Sequence, residues 1–157
     1  TSGSASSGEE DYINTILSDI GKIYISRVKI KPGKPLVIGK IGKCTFLGLP
    51  GNSVAMFSTY LRIIRPLILK ISGAINYLPN FYFVESGFEY SKKSSRTELL
   101  RVTLLQEKGK NIALLHEKQS TGIFQSIIES EGFVELDEDV NYISKGMIVK
   151  YIPFNEV

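Results

Sequence analysis

The chain has 157 residues, 43% of them hydrophobic and 22% charged, which is enough apolar material for one core or two small ones. One cysteine, Cys44, and one histidine, His116, exclude an internal disulfide, zinc fingers and iron–sulfur sites. The net charge is +3, and the longest apolar stretch, 54–71, is interrupted by Ser58, Thr59, Arg62, Arg65 and Lys70, so no membrane span is expected.

Taken in order, Thr1 to Gly8 is a small Gly/Ser stretch with the composition of a linker or a flexible loop. Glu9, Glu10 and Asp11 then lead into Ile13, Ile16, Leu17 and Ile20, whose spacing predicts a helix stopped at Gly21. A strand is expected over 23–30, followed by the turn Lys31-Pro32-Gly33-Lys34-Pro35 and the apolar triplet Leu36-Val37-Ile38. Gly39 to Lys43 reads as a further turn, and Thr45 to Leu49 as a buried strand. Pro50-Gly51-Asn52-Ser53 breaks that strand, and a long helix is predicted over 54–72, kinked or divided at Pro66 and ended by Gly73.

After Asn76 short β-rich runs take over, at 81–84, 99–105, 112–115, 133–136 and 147–152, with Gly109 in a hairpin-like turn. Only 122–130 has helical spacing. The expected organisation is therefore an α/β domain over 1–75 and a small mostly-β domain over 76–157. Three strands and two helices are few for a parallel α/β sheet covered on both faces, so the first domain reads as the second half of something larger.

Charge is unevenly placed. Lys22 to Lys43 contains seven bases (Lys22, Arg27, Lys29, Lys31, Lys34, Lys40, Lys43) and no acid, while Gln119 to Ser144 contains acids and no base. Tyr24 is the only aromatic in the basic block, which argues against nucleic acid and for a small phosphorylated or oxyanionic ligand. Three segments could hold such an anion. The Gly/Ser loop can offer backbone N–H groups. Lys31 and Lys34 project from a turn stiffened by two prolines. Gly48 to Ser53 lies at a helix start. Each also has a plain structural reading, as a linker, a solvated turn and a strand-to-helix connection. Of the remaining residues, Cys44 is expected near the core, His116 on the surface, Glu135 to Asp139 in a solvated acidic turn, and Lys92, Lys93 and Arg96 in an exposed loop.

The order and spacing of SG-x6-EDY, KPGKP and GLPGN, with LLRVTL, EKQSTGIFQSIIESEGFVEL and GMIVKYIPF in the β-rich part, resemble the molybdopterin molybdenumtransferase family. That family comprises bacterial MoeA and the C-terminal domain of gephyrin. The resemblance covers essentially the whole chain and implies the second half of a three-layer molybdopterin-binding α/β domain, followed by a small C-terminal β domain. It implies an enzyme of molybdenum cofactor biosynthesis that inserts molybdate into adenylated molybdopterin and releases AMP. Ser6 and Asp11 match catalytic positions at the pyrophosphate, with Asp11 also a ligand of Mg²⁺. Ser2, Gly3, Pro50, Gly51 and Asn52 match substrate-binding positions. Lys31, Lys34 and Pro35, together with Arg101, Ser120 and Thr121, match the molybdate site.

The resemblance further implies a cytoplasmic homodimer with no nucleic-acid or membrane partner. Ser4, Arg27, Ser53 and Ser120 depart from the family pattern. The alternative reading is a non-catalytic pterin- or oxyanion-binding or scaffold module of the same family. The 157-residue chain on its own is not expected to complete the reaction.

Overall fold

A computed structural model describes residues 1–3 and 12–156, which form two compact units, Thr1–Tyr77 and Leu78–Val157. The expected positions Ser4, Ser6 and Asp11, with Glu9 and Glu10, lie outside the described residues.

The first unit opens with α1 (Tyr12–Ile20), closed where the Gly21 N–H donates to the Leu17 carbonyl at 3.0 Å. Its apolar spacing is only partly used within this chain. Leu17 is 2% exposed and packs with Val37, Ile23, Ile41 and Phe46, whereas Ile16 and Ile20 are exposed. Three strands follow as one antiparallel sheet in the order β1–β3–β4: β1 (Lys22–Arg27), β3 (Pro35–Ile41) and β4 (Cys44–Gly48), with the short β2 (Ile30–Lys31) between the first two in sequence. These three strands pair antiparallel throughout.

Two local readings change. The strand expected over 23–30 ends at Arg27, and β3 runs on through Gly39, which pairs with Ile23 on one side and Phe46 on the other. The turn is therefore only Gly42-Lys43, with Ile41 opposite Cys44. Cys44, at the start of β4, is exposed rather than near the core.

The long helix has three parts: α2 (Ser53–Thr59), a wider π-helical turn over Tyr60–Ile64, and α3 (Arg65–Ile71). The expected interruption at Pro66 takes this form. Proline has no N–H to donate and its ring crowds the preceding turn, and the widened turn, in which the Arg65 N–H reaches the Tyr60 carbonyl, precedes it directly. The end is as predicted: Gly73 has φ +85°, with its N–H on Lys70 O and that of Ala74 on Leu69 O.

The second unit is a closed five-stranded barrel. Its strands are β5 (Tyr82–Ser86), β7 (Thr97–Glu107), β8 (Lys110–Leu115), β9 (Gly132–Leu136) and β11 (Ile148–Pro153), in ring order β7–β8–β5–β11–β9 with β9 returning to β7. All these pairings are antiparallel except β5 with β8. A small ribbon, β6 (Tyr90–Ser91) with β10 (Tyr142–Ile143), lies alongside. The five apolar runs seen in sequence are these five strands. The β7–β8 turn is Lys108-Gly109, both at positive φ (50° and 77°), the geometry a two-residue hairpin favours. Inward positions Val84, Leu100, Val102, Ala113, Val134 and Val149 fill the barrel.

Three sequence expectations fail here. The helix over 122–130 shrinks to α4 (Gln125–Ile128), and Ile123, Phe124 and Ile128 are exposed. Lys92 is buried, because its ammonium donates to the carbonyls of Asp137 and Glu138. Glu135 is not in a solvated turn but buried on β9, where Lys150 Nζ meets its carboxylate at 2.7 Å.

Candidate functional site

In the first unit the N-terminal segment and the KPGKP turn lie against α2 and the chain that leads into it. Asn52 caps the helix: its backbone is extended (φ −71°, ψ 124°), its Oδ1 accepts from the Ala55 N–H at 3.0 Å, and its carbonyl accepts from Met56 N. The N-terminal segment lies beside the chain that leads into this cap. Ser2 bridges Leu49 in parallel fashion, the Leu49 N–H donates to Thr1 O at 2.8 Å, and the Thr1 nitrogen donates to Leu47 O at 2.9 Å. A Cβ on Gly51 would come within 3.4 Å of Gly3 Cα. Ser2, Gly3, Pro50, Gly51 and Asn52 are thereby gathered in one place.

The KPGKP turn packs on the same helix. It is closed at its base by the Val28 N–H on Lys34 O at 3.0 Å and by Arg27 standing opposite Pro35. Pro32 and Gly33 are buried, Lys31 and Pro35 half-buried, and Lys34 exposed. Gly33 has φ +124°, and a Cβ there would run into Thr59 Cγ2, well inside van der Waals contact, and sit 3.4 Å from the Ala55 carbonyl. Only glycine lets the turn lie this close to α2. Thr59 itself is fully buried and fixed, its hydroxyl bonded back to the Ala55 and Met56 carbonyls at 2.9 and 3.0 Å. The turn carries two lysines at its rim over an apolar base, an arrangement able to attract and hold a compact anion. Sequence does not single out Thr59, because a threonine in an apolar helix reads as a break in the pattern.

In the second unit Arg101, Gln119, Ser120 and Thr121 come together. Arg101 lies on β7 and is completely buried. Its Nη2 donates to the carbonyls of Lys118 and Ser120 at 3.0 and 3.3 Å, and its Nε has no hydrogen-bond partner among the described residues. Burial pulls the guanidinium's pKa down, and the neighbouring Tyr90 partly opposes this. Gln119 completes the lock: its Oε1 accepts from the Arg101 N–H at 3.1 Å, and its Nε2 donates to the carbonyls of Arg101 and His116 at 2.9 and 2.8 Å.

His116, read from sequence as a surface residue, is nearly covered (side chain 12% exposed). Its Nε2 pairs with Glu129 Oε2 at 2.9 Å, and its Nδ1 accepts from the Lys118 N–H. The His116 hydrogen bond, followed by that of Gln125, holds the Glu129 carboxyl below its ordinary value. The loop 116–120 is thus fastened to the barrel at three points, with Ser120 and Thr121 on its exposed side. Arg101 holds this loop through its Nη2, a role that its residue type alone does not reveal.

No group of three metal-type ligands occurs among the described residues, and the expected Mg²⁺ ligand Asp11 lies outside them. Nor is any helix long and apolar enough to cross a membrane among those residues.

Comparison with known proteins agrees along the chain. A family described as a probable molybdopterin binding domain matches residues 1–70, and the MoeA C-terminal region (domain IV) matches residues 84–154. The molybdopterin molybdenumtransferase of Haemophilus influenzae is 30% identical over 159 residues, an alignment covering 100% of this chain and 39% of that protein. The molybdenum cofactor synthesis protein cinnamon of Drosophila melanogaster is 30% identical over 138 residues, covering 86% of this chain and 23% of that one. Among solved structures, the molybdopterin biosynthesis MoeA protein of Pyrococcus horikoshii superposes with a TM-score of 0.73 at 25% identity, covering 98% of this chain and 36% of that one. The chain spans less than two fifths of the length of each of these relatives. With both of its units matched in the same order, the chain belongs to the molybdopterin molybdenumtransferase (MoeA-like) family and carries a stretch of its molybdopterin-binding domain together with its domain IV.

Proposed function

We propose that this chain is part of a transferase that inserts molybdate into adenylated molybdopterin with release of AMP. The observation that carries the reading is the convergence on α2 of the Ser2–Gly3 segment, the Pro50-Gly51-Asn52 turn and the KPGKP turn. The first two would line the pterin substrate's site. Lys31 and Lys34, with Pro35, would receive molybdate, a tetrahedral dianion best held by charge-assisted donors. Ser120 and Thr121, presented by the Arg101-locked loop, would be the β domain's contribution. Asp11 would hold Mg²⁺ and Ser6 would stand with it at the pyrophosphate. A cytoplasmic homodimer is part of the same proposal.

The test is an insertion assay on the full-length protein with adenylated molybdopterin, Mg²⁺ and molybdate. Lys34→Ala is expected to raise the molybdate requirement about tenfold, the loss of one charge-assisted bond at an exposed position. An unchanged molybdate dependence would remove the turn from the site. Binding of pterin and molybdate without AMP release would support the scaffold reading instead.

A further inference from the structure

One end of the barrel holds a cavity of about 600 Å³ that the proposed activity does not use. It lies where β5, β8 and β9 begin and β11 ends. Its apolar wall is Val84, Leu104, Pro153 and the ring of Phe154. Its polar groups are the carboxylates of Glu131 and Glu156, the phenols of Tyr82 and Tyr151, Ser130, and the amides of Asn111 and Asn155. No lysine, arginine or histidine is among the lining residues. Molybdate and the phosphates of a nucleotide are therefore the wrong charge for it.

Three features go beyond an acidic surface. Tyr151 is only 4% exposed, and its hydroxyl, which has no hydrogen-bond partner among the described residues, is left open to the cavity that the residue lines. Glu156 is already oriented, accepting on Oε2 from the Tyr82 hydroxyl at 2.6 Å and from Asn80 Nδ2 at 3.4 Å. Glu131 is oriented in the same way, accepting on Oε2 from the Leu104 N–H at 2.6 Å. In both carboxylates one oxygen is fixed to the protein, while Oε1 has no partner among the described residues.

We propose that this cavity binds an organic cation: a guanidinium or primary ammonium carried on a short apolar stem. The charged head would bridge the two carboxylates and the Tyr151 hydroxyl, and the stem would lie against Leu104, Pro153 and the aromatic rings, where cation–π attraction adds to the charge. Burial, with Glu131 and Glu156 nearby, pushes the Tyr151 phenol up to about 12, so it stays neutral at physiological pH. A bare metal ion fits less well, because no three metal-type ligands converge among the described residues and the space is far larger than an ion.

The chemistry is shared by a free alkylguanidine and by an arginine side chain of a peptide. Two probes separate these sources: agmatine, and a blocked Gly-Arg-Gly tripeptide. Each is titrated into the isotopically labelled chain, reading amide shifts, with succinate as an anionic control. The expected result is saturable binding of at least one probe, with shifts confined to Tyr82, Leu104, Glu131, Tyr151 and their neighbours, and none with succinate. Tighter binding of the tripeptide assigns the site to a protein partner, and equal or tighter binding of agmatine to a small metabolite. Glu156→Gln and Tyr151→Phe should each weaken binding about threefold to tenfold, a modest factor because both carboxylates are open to solvent. Tyr151→Phe should leave the melting temperature of the free protein unchanged, since the hydroxyl has no partner to lose; Glu156→Gln, at an exposed site, supplies the independent variant. No saturation with either probe by about 10 mM, or binding unaffected by both substitutions, overturns the proposal.

Discussion

Gly33→Ala is the sharpest single perturbation of the candidate anion site. The backbone there has φ +124°, a conformation L side chains rarely adopt, which costs about 1–3 kcal/mol. The added methyl would also overlap Thr59 Cγ2 and sit 3.2 Å from Ile30 Cγ2. Thr59 cannot simply turn aside, because its hydroxyl is held at 2.9 and 3.0 Å by the Ala55 and Met56 carbonyls in a fully buried position. Overpacking of that kind costs about another 1–3 kcal/mol, so Gly33→Ala should destabilise the first unit by about 2–6 kcal/mol. Thr59→Ser removes Cγ2 and keeps the hydroxyl. Alone it should cost about 1 kcal/mol for the lost buried methyl. In the Gly33→Ala background its sign should reverse, recovering up to about 2 kcal/mol of the overpacking while leaving the backbone strain. The measurement is urea unfolding followed by circular dichroism, with a separate transition fitted for each unit. A Gly33→Ala protein within about 0.5 kcal/mol of the parent, or a Thr59→Ser change that is no better tolerated in the Gly33→Ala background than in the parent, would refute the claim that this contact sets the turn.

Two further outcomes are expected in the second unit. Arg101→Met keeps volume but leaves the carbonyls of Lys118 and Ser120 without a donor, so stability should fall by about 2–4 kcal/mol and amide exchange over 116–121 should accelerate; unchanged exchange would show that the loop holds without the guanidinium. At alkaline pH, Tyr151 should be a source of instability. Its folded pKa of about 12 lies above the ordinary value of 10.0, so the folded state keeps the proton where the unfolded chain releases it. That contribution, about 2–3 kcal/mol, is fully present below pH 10 and is lost as pH rises toward about 12. Tyrosinate absorbance alongside stability measurements checks this, and a Tyr151→Phe protein with the same alkaline loss would refute it.

Legibility varies with how far each signal reaches along the chain. Local signals are sound: Gly73 as a helix stop, Gly109 in a two-residue hairpin turn, and five apolar runs that are five barrel strands. Errors come where distant partners decide. Gly39 suggests a turn only until β1 and β4 are seen pairing on either side of the strand that contains it. Charge usually goes to water, so sequence places Lys92 and Glu135 there, but Lys92 caps the Asp137 and Glu138 carbonyls and Glu135 meets Lys150 across two strands.

The candidate site shows the same limit in a form that bears on function. The family resemblance groups the KPGKP turn, the Pro50-Gly51-Asn52 turn and the Arg101 strand as parts of one expected chemistry, but it does not say how each charge is used. Lys34 stands exposed at the rim of its turn, while Arg101 is buried with its Nη2 on the Lys118 and Ser120 carbonyls. The Arg101 Nη2 acts on a ligand through what it positions, the loop that presents Ser120 and Thr121, while its buried Nε has no partner among the described residues. The consequence is a division between the two cations. Removing Lys34 should change the anion requirement with little change in folding, whereas removing Arg101 should change the order of loop 116–120 first and the anion requirement only through it. Sequence assigns both residues the same positive charge, and the hydrogen-bond partners show that Arg101, unlike Lys34, also holds the loop beside it.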